Sequence, residues 1–163
     1  CVHKANVLRE SDGMFLDIFY EELEGSGLEV EDRLVDATAA AMVTEPAQLD
    51  CIVTLNMYGD ILSDEAAALT GGLGLAPSGN LGYYFGIFEP CHGSAPDIAG
   101  RGVANPTAAM LSASMMLRFL GFAEASDRIE TAVFNTLESG FKTRDLGGDH
   151  STSLFAEEVE SRL

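Results

Sequence analysis

Residues 56–79 read NMYGDILSDEAAALTGGLGLAPSG. Upstream lies an apolar, β-branched segment, LDCIVTLN (49–56), and the stretch itself passes from an alanine-rich run into a glycine-rich one. That order, strand then helix then loop, is the grammar of an α/β protein. Asp60 and Asp64 stand four residues apart, so on a helix they share one face. From the residues alone two readings stay open. The pair is either a solvated helix face or an oxygen-ligand site for a hard divalent ion. The surrounding Ala and Leu predict a buried helix, and a buried carboxylate must be paired or liganded. Two bare carboxylates this close also hinder each other's ionisation unless a cation lies between them.

Working outward, LDCIVTLN predicts a strand covered on both faces, with Cys51 buried in it. A helix is expected from about Ser63 to Thr70. The glycine run after it should form no regular element, since glycine permits conformations that other residues resist. A seam is expected near residues 70–72. Upstream, SDGMFLDIFYEELEGSG (11–27) offers Ser and Asp as cap candidates and spaces Phe15, Ile18, Phe19 and Leu23 as an amphipathic helix does. EVEDRLVD (29–36) alternates like a short strand ending at Asp36, and ATAAAMVTEPAQL (37–49) predicts a helix broken near Pro46. Downstream, FGIFEP (85–90) predicts a buried strand, and CHGSAPDIAGRGVANP (91–106) a long loop of the kind that is usually functional or disordered. TAAMLSASMMLRFLG (107–121) is apolar on nearly every side and predicts a buried helix. An amphipathic helix over 124–140, a loop over 141–153 and a short final helix complete the chain.

Composition narrows the classes. A chain of 163 residues can bury a sizeable core. Its first residue is Cys rather than Met, and an upstream part is expected. A formal net charge of −17 repels phosphate backbones and makes nucleic acid a poor candidate partner. Residues 1–70 carry fifteen acidic and three basic groups, residues 71–163 eleven and six. Acidity this dispersed reads as a solubility device of the kind used in a salt-rich cytoplasm. Apolar residues make up 47% of the chain, without a charge-free run of membrane-spanning length, so no membrane span is expected. Cys1, Cys51 and Cys91 match no zinc or iron–sulfur spacing and fit a reducing, cytoplasmic setting.

Several blocks in fixed order then carry a resemblance: HKANVLRESDG (3–13), VDATAAAM (35–42), the opening stretch, FEPCHGSAPDIAGRGVANP (88–106) and DLGG (145–148). Together they resemble the β-decarboxylating dehydrogenases, which act on 3-isopropylmalate, isocitrate, homoisocitrate and tartrate. The resemblance implies the C-terminal part of the α/β, layered-sheet, two-domain fold of isopropylmalate dehydrogenase. Residues 1–70 would belong to the dimerisation and substrate domain and 71–163 to the cofactor domain, with the upstream half of the enzyme outside this chain. It implies Mg²⁺ or Mn²⁺ on Asp36, Asp60 and Asp64, and catalytic roles for Lys4, Asp36 and Asp60. In a homodimer, Lys4 and Asp36 would reach the site built on the partner's Asp60 and Asp64.

The same resemblance implies NAD bound by Asn6, Glu89, His92, Gly93, Ser94, Ala95, Asp97 and Asn105. A carboxylate at Asp97 would take both ribose hydroxyls of NAD and repel the extra phosphate of NADP. The implied reaction oxidises and decarboxylates a small 2-hydroxy acid. Isopropylmalate is the leading substrate, with NAD-linked isocitrate or homoisocitrate dehydrogenase as alternatives. From another class, an inactive fragment or interaction module stays open. GNLGYYFGIFEPC departs from the common family wording at Tyr83, Tyr84 and Cys91. GGLGLAPSG lacks the Lys-Ser/Thr of a phosphate loop and is assigned to close packing at the domain junction.

Overall fold

In the computed structural model, which describes residues 1–163, contacts separate the chain into a unit of Cys1–Leu69 and a unit of Thr70–Leu163. The first contains β1 (Val2–His3), α1 (Ser11–Leu23), β2 (Arg33–Leu34), α2 (Val35–Thr44) and all but the last residue of α3 (Asn56–Thr70). β1 and β2 pair in parallel. The segment 49–56 is not the strand its composition predicts. It makes one bridge, Val2 to Thr54, with the Val2 N–H donating to Val53 O at 2.9 Å and Thr54 Oγ1 donating to Val2 O at 2.7 Å. A ladder needs a neighbour of matching length, and the two-residue β1 is the strand it meets in this chain. Cys51, expected to be buried, is exposed, and so is Val53.

β2 runs directly into α2, so Asp36 lies in the first turn of a helix and not at the end of a strand. α3 begins at Asn56, well before Ser63, and therefore carries both Asp60 and Asp64. Tyr58, Leu62 and Ala67 form its buried face. The helix is not enclosed as its Ala and Leu content predicts: Met57, Asp60, Ile61 and Asp64 are exposed. Val2, Met42 and Leu62 centre this unit's core, with Val35, Ala39, Leu49, Ile52 and Ala66 packed around them.

The second unit contains β3 (Pro77–Leu81), β4 (Gly86–Pro90), α4 (Thr107–Phe119), α5 (Ala123–Glu138) and α6 (Thr152–Glu160), with 3₁₀ turns at Leu73–Leu75 and Arg144–Leu146. The glycine run is more regular than expected, because residues 77–81 form an antiparallel hairpin with β4, Gly79 opposite Phe88. Glycine serves packing there. A Cβ at position 79 would lie 3.3 Å from both Phe88 Cδ1 and Met115 Cε. β4 alternates, with Ile87 and Glu89 outward, so it is half-buried and not covered on both faces.

α4 buries a face of Thr107, Ala108, Ser112 and Ser114 and leaves Met116 and Phe119 partly exposed, against the expectation of a helix enclosed all round. Small side chains let α5 approach closely, and Ser114 Oγ lies 2.7 Å from Ser126 Oγ. Arg118 closes the outer seam by donating to Asp127 at 2.7 Å. Ala132, Val133, Phe155 and Val159 form the core. Complete burial of Phe155 contributes on the order of 2–3 kcal/mol. Ser151 caps α6 by accepting from the Leu154 N–H at 3.2 Å. The chain is thus α/β with mixed parallel and antiparallel pairing. No helix is long and apolar enough to cross a membrane.

Candidate functional site

Functional side chains gather separately in the two units. In the first, Lys4 follows β1 in a tight turn whose carbonyl accepts from the N–H groups of Val7 and Leu8 at 2.8 and 2.9 Å. Its ammonium ion-pairs with Asp36. Asp36 is held below the usual carboxylate range, first by Lys4 and then by the backbone N–H groups at the start of α2. Asn6 is exposed in the Lys4 turn.

Asp60 and Asp64 are exposed one turn apart on α3, and neither has an ion-pair partner. No three His, Cys, Asp or Glu side chains of the chain gather to hold a metal, so Asp36 does not join Asp60 and Asp64 within one copy. The pair fits a hard divalent ion by donor chemistry: two oxygen-bearing side chains on one helical face, with no cation of the protein between them. It supplies only part of a coordination shell.

Behind Lys4 stands a polar network that reading the sequence missed. Asp12, expected as a helix cap, is 1% exposed and makes no capping bond to the backbone of its own helix. Its Oδ2 accepts from the Lys4 N–H at 2.7 Å and from the Tyr58 hydroxyl at 2.9 Å, and its Oδ1 from Ser11 Oγ at 3.1 Å. His3, also buried, accepts from the Ala5 N–H at Nδ1 (3.0 Å), which leaves Nε2–H to donate to Asp32 at 3.0 Å. Burial pushes the Asp12 carboxyl up, but its hydrogen bonds from Lys4, Tyr58 and Ser11 outweigh that and hold it low. His3, then Tyr20, hold Asp32 low.

Because both folded values lie below the unfolded ones, these carboxylates add stability that is complete above about pH 4 and is lost as pH falls through the lowered values. Thermal midpoints should drop below about pH 4, and Asp12→Asn should make that drop shallower. An unchanged slope in the variant would remove Asp12 from the acid transition.

The second unit holds a cavity of about 540 Å³, walled by Leu73, Gly74, His92–Ala95, Ile98–Gly100, Gly102–Asn105, Asp145 and Thr152. Its volume suits a drug-sized or nucleoside-sized ligand. His92, Gly93, Ser94, Ala95 and Asn105 are brought together in this wall. Glu89 and Asp97 are exposed and do not line it. His92 Nδ1 lies 2.9 Å from Gly93 O, which suits the Nδ1–H tautomer. Ala95 has φ +42°, a left-handed conformation uncommon outside glycine, and its carbonyl accepts from the Ile98 N–H at 3.1 Å. The loop's far end is tied to α6, where the Thr152 N–H donates to Gly102 O at 2.9 Å and Thr152 Oγ1 to Ala104 O at 2.6 Å.

Asn105 is largely committed to structure. Its Oδ1 accepts from the Thr107 N–H at 3.0 Å, and its Nδ2 donates to Asp145 at 3.0 Å. Asp145 also accepts from Thr143 Oγ1 at 2.6 Å. Gly74 fits against both: a Cβ there would lie 3.0 Å from Asn105 Cβ and from Asp145 Oδ2. The DLGG block gave a signal at Asp145, but its partner lies 40 residues upstream, beyond the reach of local pattern.

Comparison with known proteins extends these local features. The family model described as isocitrate/isopropylmalate dehydrogenase matches residues 1–159. An isocitrate/homoisocitrate dehydrogenase of Thermus thermophilus is 56% identical over 162 residues, covering 99% of this chain and 48% of that protein. A 3-isopropylmalate/3-methylmalate dehydrogenase of Methanocaldococcus jannaschii is 52% identical over 164 residues, covering 100% and 49%. The crystal structure of isocitrate dehydrogenase from Methylococcus capsulatus superposes with a TM-score of 0.94 at 47% identity, over 99% of this chain and 49% of that one. The chain thus spans about half the length of these relatives.

Proposed function

As the chain belongs to the isocitrate/isopropylmalate dehydrogenase family, we propose that the protein carrying it oxidises and decarboxylates a 3-substituted malate, with NAD as hydride acceptor and Mg²⁺ or Mn²⁺ as the ion. The observation that carries this reading is the cavity walled by the His92–Ala95 loop and Asn105, in a chain that also presents Asp60 and Asp64 on one helical face.

Each residue then has a task. Lys4 of the second copy, once its ammonium has given a proton to solvent, would accept the proton of the substrate hydroxyl, and the C–H bond beside that hydroxyl would give its hydride to NAD. The bond to the β-carboxylate would break next, CO₂ would leave, and the electron pair would stay on the carbon skeleton as an enolate that takes up a proton delivered from solvent. Asp60 and Asp64, with Asp36 of a second copy, would hold the divalent ion. That ion, when bound, acts as a Lewis acid on the hydroxyl and keto oxygens. Asp36 keeps the Lys4 ammonium turned toward the start of α2. His92–Ala95 present backbone and ring to the adenosine, while Asn105 and Asp145 stiffen that wall. On this reading the first unit serves substrate and dimer contacts and the second serves the cofactor.

Identity favours the isocitrate and homoisocitrate branch over isopropylmalate, the leading expectation from sequence, because the 56% relative acts there by name; the margin over the 52% isopropylmalate relative is small. The deciding assay takes the full-length protein with NAD and Mn²⁺ and compares kcat/KM for isocitrate, homoisocitrate and 3-isopropylmalate. Preference for the last would reverse the branch, and turnover of none would overturn the function. Asp97→Lys should weaken NAD binding by about tenfold or more, the worth of hydrogen bonds to a charged group. Unchanged NAD affinity by calorimetry would remove Asp97 from the ribose.

A further inference from the structure

We propose that Asp12 is a positioning residue, a buried carboxylate that fixes the backbone of Lys4 against α3 of its own copy, the helix whose Asp60 and Asp64 would serve the other site of the dimer. The inference rests on the reading of Lys4 as proton acceptor and adds to it a residue and a device. Three elements meet at this side chain: the turn after β1 through the Lys4 N–H, the first turn of α1 through Ser11, and α3 through the Tyr58 hydroxyl, 46 residues away in sequence.

A carboxylate in this position has an easier use available. In the first turn of a helix it can lie beside the unpaired N–H groups there, where negative charge is favoured. Here it turns to another element and spends one oxygen, Oδ2, on two donors at 2.7 and 2.9 Å. Neither donor is a cation, so the buried charge is tolerated only while those hydrogen bonds are made. Lys4 therefore cannot shift its Cα without exposing an unmet charge. Tyr58 stands two residues before Asp60 on α3, so a movement of that helix is felt at the same oxygen. The side chain of Lys4 keeps its own rotamers, limited at the far end by Asp36.

The test uses the full-length protein and compares Asp12→Ala with Asp12→Asn. Asparagine can place its carbonyl oxygen where Oδ2 stands and its NH₂ toward Ser11 Oγ, so it keeps the geometry without the charge. Asp12→Ala should lower kcat about thirtyfold, within the loss that a misplacement of about 1 Å can cause, and leave KM within about twofold. Hydrogen exchange at the Lys4 amide should become about tenfold faster or more, while the Val2 amide, bonded to Val53 O, stays protected. Asp12→Asn should restore kcat to within about threefold of wild type.

A Lys4 amide still protected in Asp12→Ala, or equal losses of kcat in Asn and Ala, would overturn the proposal. Should Asp12→Ala fail to fold, Tyr58→Phe decides, since it removes one donor and keeps the ring: kcat should fall about fivefold at constant KM, and no fall counts against Asp12. If wild type turns over none of the acids, the proposed function fails, yet exchange at Lys4 still decides whether Asp12 fixes that backbone.

Discussion

Asp60→Asn in the full-length protein should bind Mn²⁺ about a hundredfold more weakly and lose on the order of a thousandfold in kcat, with its thermal stability unchanged. Exposure and the lack of any ion-pair partner leave the Asp60 side chain with no structural duty. Asparagine matches its shape, so the substitution removes charge and little else. Hard divalent ions prefer anionic oxygen, and an ion acting on developing charge supplies several kcal/mol, at about 1.4 kcal/mol per tenfold of rate. Asp17→Asn, on the exposed face of α1, is the control for lost surface charge and should change stability by no more than about 0.5 kcal/mol and activity not at all. The binding measurement separates the two links in the argument. Normal Mn²⁺ affinity in Asp60→Asn would dissolve the metal assignment whatever happened to turnover, whereas weak Mn²⁺ binding with normal turnover would detach the ion from the chemistry.

How far these features can be read from sequence depends on whether the interaction is local. α1 and α5 are legible because their apolar residues recur at helical spacing and glycines follow their ends: α1 stops at Leu23 before Gly25, α5 at Glu138 before Gly140. The sixteen-residue loop from Cys91 to Pro106 is legible for the opposite reason, the absence of any period. Strands were harder. LDCIVTLN has the composition of a covered strand, but a strand is a relation to neighbours, and composition says nothing about their length. PSGNL has the composition of a loop and pairs in register with GIFEP, because Gly79 leaves room for Phe88 and for Met115 of α4.

The same rule divides the candidate site. Lys4, Asp36, Asp60, Asp64, His92 and Asn105 sit inside ordered blocks, and the resemblance of those blocks names them as candidates. Asp12 was visible only as a cap, and its true partners, Lys4 and Tyr58, lie 8 and 46 residues away. Asp145 sits in the DLGG block and Gly74 in the glycine run, but their part in the wall comes from a meeting with Asn105 that only the folded chain brings about.

That meeting also explains why Gly148→Ala should be the most damaging methyl that can be added to the second unit. A Cβ at position 148 would lie 2.0 Å from Lys142 O and 2.4 Å from Lys142 C, and both are backbone atoms that cannot rotate aside. Relief requires opening the turn. The Gly148 N–H donates to Thr143 O at 2.9 Å and the His150 N–H to Lys142 O at 3.2 Å, so opening it breaks both bonds. It also displaces the buried Thr143, whose hydroxyl holds Asp145 and, through it, Asn105 at the cavity wall. A loss of about 3 kcal/mol or more is expected, at the upper end of overpacking costs. Gly147→Ala is the natural comparison. Position 147 is left-handed, at φ +78°, but a Cβ there meets nothing within 4 Å, so the loss should be confined to about 1–2 kcal/mol of backbone strain. Urea unfolding of the full-length variants measures both, and NAD affinity should fall further in Gly148→Ala than in Gly147→Ala. If the two alanines cost the same, the turn yields without harm, and the chain of contacts from Gly148 through Asp145 to Asn105 carries no strain to the cavity.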